Sequence, residues 1–243
     1  MENEMLTEVN AATADGAMWR ASAYRLLGLL FSYPTDSVAS RTFALARAFE
    51  TSGVRDIQLS GYPSLRALTE ACLDYPTESL ERAYVSAFTH ICAADCNPTE
   101  TSYTSKHIFQ VTNELADLDA YYRAFGVEVG GERTDHISVE MEFMAYLCVR
   151  EANALTEGDT EKAAVDSKAQ KVFLERHLGR WVHEFSYLLQ RKQPAGPLAE
   201  AADLLPKLVS ADEVRLDAKP HRNLIDAIES LECEGDDENG ENE

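Results

Sequence analysis

Apolar residues recur at intervals of three and four along almost the whole chain, and almost no segment alternates strictly between apolar and polar. That period stacks side chains on one face of a helix and gives a sheet nothing to form around. Residues 18–33 carry Trp19, Ala23, Leu26, Leu27 and Leu30 on one face. Pro34 ends that helix, because the residue before a proline is pushed out of helical space. Residues 37–50 repeat the pattern, with Gly53 just beyond them as a terminator. Residues 64–74 and 77–91 are two further predicted helices divided by Pro76, and Leu80, Tyr84 and Phe88 follow at i+4 steps in the second.

The period then stops. Residues 92–102 (CAADCNPTETS) are small and polar, contain a proline, and read as a loop. Beyond Ser105 the period returns through Ile108, Val111, Leu115, Leu118, Tyr122 and Phe125, until Gly126 ends it. The next predicted helix covers residues 134–155, with Thr134 or Asp135 as the expected cap. Residues 160–192 read as one long helix or two joined near Gly179, and residues 198–209 as another, with Pro206 a kink or an end. The expected architecture is a single all-α domain of about nine to eleven helices over residues 17–210. Residues 1–16 are expected to be flexible. Residues 211–243 form an extension with one short amphipathic helix (Leu224, Ile225, Ile228, Leu231) and a disordered acidic tail.

A formal charge of −20 excludes nucleic acid as the expected partner, since a phosphate backbone is held through Lys and Arg. It disfavours anionic membrane surfaces for the same reason. Seven of the last twelve residues are acidic, and without them the chain still carries −13, so the body itself is acidic. A basic partner suits it. Cys72, Cys92, Cys96, Cys148 and Cys233 are odd in number and lack a framework spacing, and the chain opens on polar, acidic residues, which together predict a reduced, cytoplasmic setting. The longest apolar run, residues 26–31, is far short of the about 20 residues that span a bilayer.

Chemistry is harder to find. No Gly-x-Ser-x-Gly elbow, phosphate-cradling glycine loop or dinucleotide fingerprint occurs, and His183-Glu184 does not continue into a His-Glu-x-x-His zinc motif. One stretch stands out: residues 134–147, TDHISVEMEFMAYL, set His136 and Glu140 on the stripe that also holds Phe143 and Leu147. An imidazole and a carboxylate open a face that ends apolar. They could serve as metal ligands in a helical enzyme or metal-binding protein, but the several inward Glu and Glu-x-x-His pairs of a di-metal bundle are missing. They could also be structural, a carboxylate near a helix N-terminus and a histidine bonding a nearby carbonyl.

Four groups of residues, in order and at approximate spacing, resemble the TorD/DmsD/NarJ family of chaperones that serve molybdenum enzymes. They are Tyr84 and Phe88 (ERAYVSAF); Pro98, Glu100 and Tyr103 (NPTETSY); Asp135, His136, Glu140, Phe143 and Met144 (DHISVEMEFM); and Phe173, Leu174, His177, Leu178, Trp181 and Phe185 (FLERHLGRWVHEF). The family loop usually carries a second proline or an aromatic residue beside the first, whereas Asn97 and Thr99 flank Pro98 here.

The resemblance implies an all-helical, noncatalytic, cytoplasmic chaperone. It would bind the twin-arginine signal peptide, the body, or both, of an apo-molybdoenzyme catalytic subunit, assist molybdenum cofactor insertion and delay export. It implies no permanently bound cofactor, with weak guanine nucleotide binding or transient molybdopterin contact, and a monomer or a domain-swapped dimer. The expected client site is Tyr84, Phe88, Pro98, Glu100, Tyr103, Asp135, His136, Glu140, Phe143 and Leu147. In this expectation Glu100, Asp135 and Glu140 face the arginines, which favour forked carboxylate contacts, and the aromatic and aliphatic members line a groove.

Overall fold

The computed structural model describes residues 8–88 and 96–222. The chain enters through a two-residue strand, β1 (Glu8–Val9), and then α1 (Ala14–Leu30), α2 (Asp36–Ser52), a second short strand β2 (Gln58–Leu59), α3 (Arg66–Asp74) and α4 (Leu80–Phe88). α5 (Thr101–Thr104), α6 (Ile108–Ala124), α7 (Ile137–Glu157), α8 (Thr160–Arg176), α9 (Val182–Arg191) and α10 (Pro197–Leu216) follow. Single 3-10 turns stand at Val54–Asp56, Thr77–Ser79 and Leu178–Arg180. Ten α-helices among the described residues match the all-α expectation, and the two-residue strands β1 and β2, paired in parallel, depart from it.

α1 and α7 form the central pair, with α7 also packed along α8 and α10 along α9. Twelve of the seventeen residues of α1 are buried, and so is an entire arginine, Arg20. Gly28 explains how close the two axes come. A Cβ there would stand 3.3 Å from Met141 Cβ, Glu142 Cγ and Ser138 O, so a larger residue would push α7 away. Local chemistry sets the ends: Thr13, Thr35 and Asp159 each accept an amide one turn into α1, α2 and α8. Gly158 closes α7 in the left-handed conformation, at φ 75°.

Several expected boundaries shift. α7 is capped not by Thr134 or Asp135 but by His136, whose Nδ1 accepts from Ser138 N–H at 3.2 Å. The stretch expected as one helix or two over residues 160–192 is two, separated by the turn at Gly179. Loop residues 92–102 hold the start of α5. Ile108 is 74 % exposed, since the first turns of α6 project past their neighbours and only Leu118 and Tyr122 of its stripe are fully buried.

The expected domain limit at residue 210 falls inside α10, which continues through Pro206 to Leu216 because Asp212 is fastened into the core. At the other end, residues 8 and 9 pair with β2 and α1 begins at Ala14, so order starts earlier than residue 17. Residues 1–7, the predicted helix at Leu224 to Leu231 and the acidic tail lie outside the described residues.

Candidate functional site

The loop before α5 is fastened to the start of α7. Thr99 bridges His136, Ile137 N–H donates to Pro98 O at 2.8 Å, and Glu100 N–H donates to Asp135 O at 2.9 Å. Asp135 gathers donors from both sides: Thr101 Oγ1 at 2.6 Å, Thr101 N at 3.3 Å, and Arg133 Nε and Nη2 at 2.9 and 3.0 Å. Burial alone would raise its pKa, but the bonds from Arg133 and Thr101 outweigh it and hold the carboxyl below its ordinary value. Burial lowers the pKa of His136, consistent with a neutral ring whose Nδ1 caps the helix.

Below that loop lie two more carboxyl groups. Glu100 is fully buried, with His177 Nδ1 at 3.2 Å and Arg180 Nη1 at 3.4 Å, and burial raises its pKa against the pull of these two groups. Glu140 is also fully buried; its Oε2 accepts from Trp181 Nε1–H at 3.3 Å and its Oε1 has no partner. Burial, then the charge of Glu100, raises the pKa of Glu140 well above its ordinary value and so favours its neutral form, against the bond from Trp181.

That state has a testable consequence. A group with a raised folded pKa contributes stability that is full below the unfolded carboxylate range and is lost as pH rises through the raised value. Glu140→Gln keeps the acceptor for Trp181 and cannot ionise. It is expected to raise the urea midpoint of unfolding relative to wild type at about pH 8 and to lose that advantage at about pH 4, where free carboxyls are half protonated. An advantage of equal size at both pH values would show that Glu140 does not titrate on unfolding.

The predicted site residues therefore fall into separate settings. Pro98, Glu100, Tyr103, Asp135, His136 and Glu140 converge at the loop and the first turn of α7. Tyr103 stacks on Trp181 with centroids 5.2 Å apart, and Tyr84 and Phe88 join the same aromatic group through Phe185. Phe143 belongs to a second group with Tyr122 at 4.8 Å and Phe173 at 4.9 Å, and Leu147 is wholly in the core. The expected negative rim of Glu100, Asp135 and Glu140 is not formed, because all three carboxyls are buried and point to internal donors. His136 and Glu140 likewise turn to separate partners, Ser138 and Trp181, and no cluster of metal-ligating groups occurs among the described residues.

An open groove of about 630 Å³ lies elsewhere, between α1, α7 and the segment 127–130. Met18, Ala21, Val129, Val139, Phe143 and Val149 make its apolar lining. Glu128 is exposed on its edge, and Glu142 pairs with Arg25 across it at 2.5 Å. Sequence reasoning missed Met18, Glu128 and Glu142. The signal for Glu142 was present: two residues along a helix turn a side chain by about 200°, so an inward Glu140 implies an outward Glu142.

The comparisons bear on the fold and on the loop. The model of the nitrate reductase delta subunit family matches residues 60–186, which include every motif from Tyr84 to Phe185. The selenate reductase assembly chaperone protein of Thauera selenatis is 27 % identical over 201 residues, covering 81 % of this chain and 89 % of its own. The chlorate reductase assembly chaperone protein of Ideonella dechloratans is 29 % identical over 177 residues, covering 68 % and 88 %. Among solved structures, an Archaeoglobus fulgidus protein described as a redox enzyme maturation protein superposes with a TM-score of 0.51 at 20 % identity, covering 78 % of this chain and 93 % of its own, which speaks to the fold. With just over half of its 243 residues matched, the chain belongs to the nitrate reductase delta subunit family.

Proposed function

We propose that this chain is a noncatalytic assembly chaperone that holds the apo catalytic subunit of a molybdenum-dependent reductase, and that it receives the subunit's twin-arginine leader in the groove between α1 and α7. The observation that carries the reading is an open apolar groove edged by Glu128 and Glu142 on a strongly acidic chain. Two relatives named as reductase assembly chaperones support the coarser part. A leader with two arginines and a short apolar run fits such a surface: the guanidinium forks meet the edge carboxylates and the apolar run lies on Met18, Val139, Phe143 and Val149. Glu142 already holds Arg25, so an incoming arginine exchanges one guanidinium for another.

In this reading the client waits in the cytoplasm until its cofactor is inserted. No helix among the described residues is long and apolar enough to cross a membrane. An unfolded leader must be ordered on binding, so a micromolar affinity, about −8 kcal/mol, allows release without an energy source.

Calorimetry with a synthetic twin-arginine peptide tests the site. Wild type is expected to bind in that range, and Glu128→Gln with Glu142→Gln to weaken binding by about tenfold, or 1.4 kcal/mol. A peptide with two lysines in place of the arginines is expected to bind more weakly, since an ammonium lacks the fork. Equal affinities for both proteins and both peptides would remove the groove from leader recognition. Affinity capture of the apo catalytic subunit from its own cells tests the chaperone role separately.

A further inference from the structure

The signature loop sits over an aromatic floor, and nothing in the leader-binding groove uses it. Residues 97–105 form a layer between solvent and core, with Thr99, Glu100 and Thr101 buried. Asn97 and Ser102 face solvent, Tyr103 is half-buried, and from Lys106 to Gln110 every residue is exposed. Beneath the layer Trp181 and Phe185 are fully buried, Trp181 under the Tyr103 ring and Phe185 edge-on to it. Phe88 stacks on Phe185.

The layer is held at two points. On one side its backbone joins the first turn of α7, through Thr99 and His136, Pro98 and Ile137, and Thr101 and Asp135. On the other, the Glu100 side chain passes inward to His177 and Arg180, while Thr104 bonds Glu114 on α6. The second point leaves polar atoms unmet. His177 Nε2 faces Asp117 Oδ2 at 3.4 Å, but Glu140 Oε1 and Ser105 Oγ are buried without a hydrogen-bond partner. A buried polar atom left unbonded favours any state in which water can reach it. Lifting the layer would hydrate these atoms without separating α1 from α7.

The geometry points to residues 97–105 as a strap that opens off Trp181 and Phe185, with Glu100 as its latch and Asp135 as its hinge-side anchor. Opened, it bares an aromatic ledge in which the Trp181 and Phe185 rings stand at 60° to each other, suited to an apolar segment of the client's body and distinct from the groove that takes the leader. Glu100 and Asp135 are then positioning residues, which gives buried carboxylates a role that direct contact with the client does not. The use of the ledge rests on the chaperone reading; the motion does not, and it is measured with no client present.

The chain has two tryptophans, Trp19 and Trp181, so Trp19→Phe makes Trp181 the single reporter. In that background Glu100→Gln and, separately, Asp135→Asn are expected to raise acrylamide quenching of Trp181 severalfold, with helical circular dichroism and a cooperative unfolding transition retained. Tyr103→Ala supplies the uncovered reference. Quenching equal to the parent in both variants would overturn the strap. Should the variants lose their fold, hydrogen exchange of the unaltered chain decides the matter. The amides of Glu100, Tyr103, Thr104 and Ile137, all bonded within or beneath the strap, are expected to exchange together and well before those of Met141 to Met144. Exchange of both sets only with global unfolding would overturn it.

Discussion

Arg20→Ala is expected to lower the unfolding free energy by about 3–5 kcal/mol, the cost of removing one partner from a buried ion pair. Arg20 has no exposed surface. Its Nη2 lies 2.7 Å from Glu151 Oε2, and its Nη1 meets Gln170 Oε1 at 2.7 Å and Asp212 Oδ1 at 3.4 Å. Asp212 also accepts from Tyr24 and Tyr62 at 2.7 and 2.6 Å, and Arg215 closes the network at 3.1 Å. Without Arg20 the Arg215 guanidinium must serve both carboxylates from a partly exposed position. Urea unfolding at neutral pH measures the effect, and a loss below about 1 kcal/mol would mean that Arg215 replaces Arg20 at the level of a surface pair.

The same network fixes a pH dependence. Burial alone would raise the pKa of Asp212, but the charges of Arg20 and Arg215 and the bonds from Tyr62 and Tyr24 hold it below its ordinary value. A depressed folded pKa gives stability that is present above the unfolded carboxylate range and is lost as pH falls through the folded value. Asp135, held low by Arg133 and Thr101, adds in the same direction. Glu140 has the opposite sign, so its contribution fades as pH rises, where those of Asp212 and Asp135 are complete.

Phe143→Ala is expected to cost about 3–5 kcal/mol, the range for emptying a large aromatic site in a packed core. The ring touches Tyr121, Tyr122, Phe125, Tyr146 and Phe173, with centroids 4.8 to 6.3 Å away. It is also the floor of the groove, so the truncation deepens the cavity where a leader would lie. Phe143→Leu separates the two roles: it refills much of the volume and is expected to cost less than about 2 kcal/mol while still altering the floor. Thermal unfolding of both variants checks the first role and peptide calorimetry the second. Equal destabilisation by Leu and Ala would show that ring packing, not volume, holds this part of the core.

Much of the fold was legible because burial in a helical bundle writes a three-to-four period into the chain. Leu26, Leu27 and Leu30 in α1 were read on one face and are buried, and Phe173, Leu174, Leu178, Trp181 and Phe185, quoted for the family pattern, are buried too. The signature loop was legible as a pattern, and its residues converge. Their exposure was not. Nothing in the stripe that holds Glu140, Phe143 and Leu147 says whether its carboxylate rims a cleft or is buried against a tryptophan, since that depends on what packs over the stripe. His136 as the cap in place of Asp135 was hidden for a related reason: capping depends on the backbone angles of one residue, which the bridge from Thr99 to His136 helps to set.

By itself the sequence determined the helical class, most element positions and the membership that the loop and the α7 motif carry, because helical period and turn chemistry act over a few neighbouring residues. Only the tertiary structure decided which acids face water. Helical spacing sets Glu140 and Glu142 on opposite faces of α7, but only the packing of other segments buries the first beneath Trp181 and leaves the second on the edge of the groove opposite Arg25. The reason is that solvent exposure depends on what the other helices cover, and Arg20, Asp212 and Trp181 reach their partners across separations of tens to nearly two hundred residues.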